Sequence, residues 1–361
     1  MKFLIVLVIM LGSFAVQAQR GNSADLRQID SLLKTIYKND EPGASIVILQ
    51  KEKPFFKKSY GIGDLDTREK ISSETNFNIA SLTKQFTAMA ILQLADRKKL
   101  SLQDHLSKFF PGLNKNVAYK VTIRHLLTHS SGIVDHYDYT DTKAIRHAHN
   151  ADVLNAIKNI DSFYFDPGTS YRYSNTAFCL LALVIEKLSG MNYSAYMKKN
   201  IFSPLGMTNT TVWSENAKII SEATGYEVDS ATTTFKRSGA DENIFFSTEG
   251  DGGIYTSIDD YLKWINALQS GKIFSRTSIR LARWPQFPIN KEKKLSYGYG
   301  WFIDESSSPY KVYHSGSNGG FRTFCFTIPD EGYVIVVFSN RTGIDLENVI
   351  LEINKILRSG S

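Results

Sequence analysis

The chain is 361 residues long, with 42 Lys and Arg against 36 Asp and Glu, a formal net charge of +6, 42% hydrophobic residues and two cysteines. Its basic residues are dispersed in short runs such as DRKK and KEKK, which read as solvated faces and argue against a nucleic-acid groove. Two cysteines do not make a disulfide scaffold: Cys179 in AFCLLALVI and Cys325 in FCFTI read as core positions, a bridge between them being the alternative in an oxidising compartment.

The N-terminal stretch MKFLIVLVIMLGSFAVQAQR places one cation, Lys2, before an apolar run from Phe3 to Val16, with small residues at Val16 and Ala18. That is the pattern of a secretory signal, expected to be removed after Ala18; a retained N-terminal anchor is the alternative. The run is too short for a stable membrane span. Residues 19–361 are then expected to form one exported domain, periplasmic or secreted, with a core large enough to divide into lobes.

Residues 24–38 carry helical apolar spacing at Leu26, Ile29, Leu32, Leu33 and Ile36. ASIVILQ and FFKKSYG follow as two strands about the turn KEKP. Helical pattern returns from Ser81 to Arg97 and in TIRHLLTH, ADVLNAIKNI and NTAFCLLALVIEKLSG, the last closed by Gly190 at a C-cap position. Strands are expected again in SYGYGWFI, KVYH, FRTFCFTI and YVIVVFSN, the last pair joined by the turn PDEG, and short connections make this part antiparallel. The glycines in YHSGSNGGFRTF are expected to mark a bulge, a bend or a close approach to the backbone. IDLENVILEINKIL closes the chain as a helix.

Ser81 and Lys84 stand three residues apart at a helix start, so hydroxyl and amine share a face. A serine hydroxyl is a weak nucleophile until a neighbouring base takes its proton. A lysine can be that base when its surroundings are apolar, as Phe77, Ile79 and Phe86 would make them. The spacing alone says little, because it recurs at Ser31/Lys34, read as an exposed helical pair, and at Ser308/Lys311, read as a polar loop. The Ser81 pair has two companions: Tyr173-Ser174-Asn175 just before the apolar helix, and His314-Ser315-Gly316-Ser317 in a strand.

With those three motifs in that order, the chain resembles the serine β-lactamase and penicillin-binding-protein superfamily, in its class C-like branch. HLLTHSSGI, YSNTAFCLLALVIEKLSG, GGIYTSIDDYLKWINAL and GSNGGFRTFCFTIP resemble segments of that family, and the similarity runs over about residues 24 to 356. The resemblance implies an α+β fold: an antiparallel sheet flanked by N- and C-terminal helices, with an all-helical region inserted at roughly residues 82–245. It implies a serine hydrolase working through an acyl-enzyme on amide or ester bonds, without cofactor or metal. Ser81 would be the nucleophile, with Lys84 and Tyr173 moving protons and the backbone N–H groups of Ser81 and Ser317 forming the oxyanion hole. Asn175, His314, Ser315 and Gly316 would bind substrate.

His314 stands where many β-lactamases of this branch have lysine. A histidine there sets two expectations against each other: an imidazolium that binds a substrate carboxylate, or a hydrogen-bonding group near Tyr173 or Ser81. In related sequences this histidine accompanies DD-carboxypeptidases, D-amino-acid peptidases and esterases, so the expected substrate is a D-amino-acid peptide, a β-lactam or an ester. A penicillin- or muropeptide-binding protein with negligible turnover is the competing reading from another class.

Other residues are read as structural. His147 and His149 have strand-type metal spacing in polar, helical surroundings with no third ligand nearby. His129 is read as a hydrogen-bonded structural residue, and VDHYDYTD (Val134 to Asp141) as a solvated loop in preference to a substrate rim. The sequons at Asn192 and Asn209 carry no meaning in a bacterial setting.

Overall fold

A computed structural model describes residues 21–51, 53–140, 147–229, 231–238 and 244–359; the segment read as a secretory signal lies outside them. The terminal helices α1 (Gly21–Ile36) and α8 (Leu346–Ser359) belong to one compact unit, and residues 37–346 form the other. Along α1 the apolar period buries Ile29 and Leu33 and leaves Ser31 and Lys34 outward.

The large unit is built on an eight-stranded antiparallel sheet. Its strands are β1 (Ala44–Gln50), β2 (Lys53–Tyr60), β3 (Phe287–Asn290), β4 (Leu295–Tyr297), β5 (Phe302–Asp304), β6 (Lys311–Asn318), β7 (Phe321–Ile328) and β8 (Tyr333–Ser339), in the order β3-β4-β5-β6-β7-β8-β1-β2. The N-terminal hairpin closes on the C-terminal one: Ala44 pairs with Ser339 and Gln50 with Tyr333. β1, β7 and β8 are buried along almost their whole length, which is why their sequences read as continuous apolar runs.

One expectation is corrected, and another is narrowed to a close approach of backbone. SYGYGWFI is two strands, because Gly300 adopts φ +88° and a Cβ on Gly298 would lie 2.1 Å from the Ala282 carbonyl oxygen, so the chain turns there. β6 runs unbroken through His314-Ser315-Gly316, in register from Val312↔Thr327 to Asn318↔Phe321, and the turn falls at Gly319-Gly320.

Four helices matter for the site: α2 (Thr83–Asp96), α3 (Ile123–Leu127), α4 (Asn150–Ile157) and α5 (Asn175–Ser189). Ser174 caps α5 by accepting from the Ala177 N–H, and Gly190 ends it in the left-handed conformation at φ +69°. The span expected to be wholly helical also carries strands, Thr211–Val212 in a small sheet and the hairpin Tyr226–Val228 with Phe235–Arg237. Two further helices, α6 (Ile258–Ser270) and α7 (Arg276–Ala282), return the chain to the large sheet. Among the described residues no helix is long and apolar enough to cross a membrane.

Candidate active site

Ser81 sits in a 3-10 turn, Ala80–Leu82, that leads into α2. Ala80 holds φ +48°, a conformation costing an L-residue roughly 1–2 kcal/mol, and its N–H is fixed by Asn78 Oδ1 at 2.8 Å. Thr323 on β7 donates its hydroxyl to the Ile79 carbonyl at 2.9 Å, tying the turn to the sheet. A Cβ on Gly316 would fall 2.2 Å from Thr323 Oγ1 and 2.5 Å from the Ile79 oxygen. The backbone that approaches Gly316 is therefore the serine-bearing turn itself, a packing reason for glycine at the place expected to bind substrate.

Lys84, fully buried, places Nζ 3.1 Å from Ser81 Oγ, 2.8 Å from Asn175 Oδ1 and 2.8 Å from the Asp251 carbonyl oxygen. An amine nitrogen has four tetrahedral positions, one taken by its own carbon, so these contacts fill the other three. The remaining neighbours are rings: Nζ lies 4.9 Å from the Tyr173 centroid and 5.6 Å from that of Phe178.

Behind the lysine is a sealed layer of rings. His129 packs 4.3 Å from the Tyr173 ring and 4.6 Å from Tyr297, and its Nδ1 accepts the Ser174 N–H at 3.0 Å, anchoring the Tyr173-Ser174 segment. His314 is 1% exposed, with Nε2 3.0 Å from Tyr297 Oη and Nδ1 2.7 Å from the Ser315 carbonyl. A carbonyl only accepts, so Nδ1 carries the proton and Tyr297 donates to Nε2. Burial, reinforced by the Lys84 charge, pulls His314 down to about 3, and the same causes hold His129 well below the ordinary imidazole range. Both imidazoles are neutral at working pH. Direct capture of a substrate carboxylate by His314 has neither the charge nor the access it needs, and its hydroxyl partner is Tyr297, not Tyr173 or Ser81. Tyr173 Oη is buried with no hydrogen-bond partner, so its expected link to Lys84 is a ring contact in this state.

In front of the lysine is an open hollow of about 180 Å³ lined by Ser81, Asn175, Ser317, Asn318, Tyr137, Phe245 and Asp251 among others. It brings Ser81, Asn175 and Ser317 together, while Lys84, Tyr173, His314, Ser315 and Gly316 do not line it. Ser315 and Ser317 point to the exposed side of β6; His314 and Gly316 alternate inward. Asn175 is committed within the protein, since Oδ1 accepts from Lys84 and Nδ2 donates to Tyr137 Oη at 2.7 Å.

Tyr137, in the loop read as solvated, is a cleft wall, with its ring 4.6 Å from Phe245. The density of aromatics in VDHYDYTD was its only sequence signal. Asp251, immediately before the GGIYTS segment, was missed because its contribution to Lys84 is a backbone carbonyl, which any residue supplies.

The other Ser/Lys pairs do not assemble: Lys34 pairs with Asp30 at 2.9 Å and Lys311 with Asp304 at 3.4 Å. His147 packs on Trp213, His149 caps α4, and among the described residues no group of three ligating side chains forms. Cys179 and Cys325 are free and buried.

The family model Beta-lactamase matches residues 27–354. Protein flp of Staphylococcus aureus (strain N315) is 32% identical over 332 residues, covering 87% of this chain and 63% of its own. The chain thus spans just under two thirds of that relative's length. Penicillin-binding protein 4* of Bacillus subtilis (strain 168) is 28% identical over 328 residues, 87% of this chain and 72% of the relative. Among solved structures, the octameric penicillin-binding protein homologue from Pyrococcus abyssi superposes with TM-score 0.80 at 26% identity, covering 93% of this chain and 77% of its own. The penicillin-binding protein from Bacillus halodurans does so with TM-score 0.77 at 27% identity, over 92% and 98%.

Proposed function

The chain belongs to the Beta-lactamase family, and from that premise we propose that it is a serine acyl hydrolase in which Ser81 attacks the carbonyl of a small amide or ester and Lys84 takes its proton. The observation that carries this reading is the environment of Lys84 Nζ. The Asp251 carbonyl and Asn175 Oδ1 can only accept hydrogen bonds, so in the neutral amine they take both N–H hydrogens. In the ammonium form the third N–H donates to Ser81 Oγ at 3.1 Å, and once that proton is lost the lone pair has this one direction left. A base aimed by exclusion at its nucleophile is the geometry general-base catalysis needs.

Proton and electron flow follow directly. The Oγ–H proton passes to Nζ as Oγ bonds the carbonyl carbon, and the charge that develops on oxygen meets the backbone N–H groups of Ser81 and Ser317 across the hollow. Collapse expels the leaving group, which takes the proton back. Water then repeats the sequence on the acyl-enzyme, with Tyr173 and Lys84 as the groups able to pass its proton. Among substrates, a D-amino-acid amide, ester or peptide held by contacts other than a carboxylate–imidazolium pair fits best, because His314 offers no cation. An envelope location belongs to the same proposal, supported by the N-terminal signal pattern and the bacterial penicillin-binding relative.

One observation favours a second reading, acylation with negligible turnover: Tyr173 Oη has no partner that would relay a proton to water. Stopped-flow measurement with p-nitrophenyl acetate, nitrocefin and D-alanyl-D-alanine peptides separates the two. A burst followed by steady turnover, absent in Ser81→Ala, supports the hydrolase. A stoichiometric burst with no turnover supports the binder, and full activity in Ser81→Ala defeats both.

A further inference from the structure

The segment RTSIRLARW puts Arg276, Arg280 and Arg283 at i, i+4 and i+7, on one face of α7 and its C-cap. Like charges so spaced repel, and among the described residues none of the three forms an ion pair. With Trp284, 55% exposed, they edge a hollow of about 270 Å³ walled by Ile279, Tyr310 and Pro329. Two buried polar atoms there lack partners, the donor Arg283 Nε and the acceptor Gln269 Oε1. Burial lowers the pKa of the Arg283 guanidinium, and the groups that act on its charge are the Cys325 thiol and the phenols of Tyr310 and Tyr261, with no carboxylate among them.

Arg283 is half-buried with its Nε enclosed, and guanidinium groups drawn inside in this way are ordinarily paired with an acid. We propose that this hollow is a binding site, separate from the Ser81 cleft, for an organic anion: a carboxylate or phosphate on an apolar or ring-shaped body. The anion meets the fork of Arg283 with Arg276 and Arg280 beside it, the apolar body lies on Trp284, and a donor on the ligand reaches Gln269 Oε1. Asp330 and Glu331 line the adjoining hollow beyond Arg283, which places the anion on the Trp284 side. Tyr310 immediately precedes β6 and Ser317 stands near its far end, so the site lies at the other end of that strand from the cleft. The proposal does not depend on the acyl-transfer reading.

Calorimetric titration tests it, with phenyl phosphate as probe, benzyl alcohol as the uncharged control and phosphatidylglycerol vesicles as the membrane arm. Wild type, Arg280→Gln, Arg283→Met and Trp284→Ala are compared. Saturable binding of phenyl phosphate is expected, at least tenfold tighter than of benzyl alcohol, weakening as salt rises and falling about tenfold in Arg280→Gln and in Trp284→Ala. Ester turnover in Arg280→Gln should match wild type. Binding to vesicles and to phenyl phosphate alike, both lost in Arg280→Gln, identifies a lipid headgroup as one source of the anion. No saturable binding of phenyl phosphate, or binding unchanged in Arg280→Gln, overturns the site; Arg280 is exposed, so that variant remains informative if Arg283→Met does not fold.

Discussion

Lys84 has two sides, and they are built by different means. Toward the cleft its nitrogen is held by hydrogen bonds of 2.8–3.1 Å to Ser81, Asn175 and Asp251. Behind it there are rings only, Tyr173 and Phe178 first, with His129, Tyr297 and His314 deeper, and the buried Tyr173 Oη and His129 Nε2 without partners. The front decides where a proton can go. The back holds two imidazoles neutral, so that neither adds a positive charge beside Lys84.

If that division is right, damage to the front costs most. Lys84→Ala should lower kcat by about 10²–10⁴-fold, the usual range for a positioned proton-transfer group. Near-normal turnover in that variant would assign the base elsewhere. Tyr173→Phe keeps the ring contact and removes only the hydroxyl. A loss of ~10²-fold or more places Tyr173 in proton transfer, whereas a loss under about threefold would make it part of the packing layer alone.

The back should show itself in the pH dependence of stability. Burial holds His129 and His314 below their unfolded value, so for each the unfolded chain binds more protons below ~6.5, and for His314 that window reaches down to about pH 3. Their stabilisation is complete above ~6.5 and is lost as pH falls, for His314 toward about 3 at ~1.4 kcal/mol per pH unit inside that window. Glu249, raised by burial and by Glu186 to about 8, acts in the opposite sense: its contribution is complete below ~4.5 and is lost as pH rises through 8. Between ~4.5 and ~6.5 the two effects oppose, so Glu249→Gln should steepen the fall of Tm with acidification. A Tm profile that stays flat from pH 7 to 4 in Glu249→Gln would show that the imidazoles are not neutral in the folded protein.

How much of this was legible in the sequence follows the same division. Ser81 and Lys84 are local, three residues apart, and could be read from a helix start; Gly190 and the PDEG turn announced element ends through their own backbone preferences. The back is assembled from four distant segments, and nothing in the neighbourhood of His314 says that Tyr297 will meet its Nε2. The charge at that histidine stayed open between two readings for this reason, since its state depends on burial that only the assembled sheet provides. Asp251 was invisible because a carbonyl carries no side-chain identity.

A smaller effect separates two parts that His129 could play in that back layer. His129→Leu removes the acceptor for the Ser174 N–H, while His129→Asn can retain one. A kcat lowered about tenfold in His129→Leu with KM unchanged, and largely restored in His129→Asn, would show that the hydrogen bond positions Tyr173 for reaction. Equal losses in both variants, matched by equal losses of Tm, would leave His129 as packing.

The smallest expected effect is a difference of zero, and it tests the neutrality of His314 most directly. Were its imidazole a carboxylate receptor, kcat/KM for carboxylate-bearing substrates would fall as pH rises through ~6.5, and neutral esters would be spared. At about 3, and with both nitrogens occupied, the group does not change charge in that range. The ratio of kcat/KM for a D-alanyl-D-alanine peptide to that for a D-alanine ester should therefore be constant from pH 5.5 to 8 once the titration of each substrate is allowed for. His314→Gln should leave the ratio constant too, because an amide can still meet Tyr297 and the substitution removes no charge. A ratio that declines across that window in wild type and is flat in His314→Gln would mean that the cleft opens far enough to hydrate the imidazole. The sealed back of the lysine would then be a state that substrate displaces.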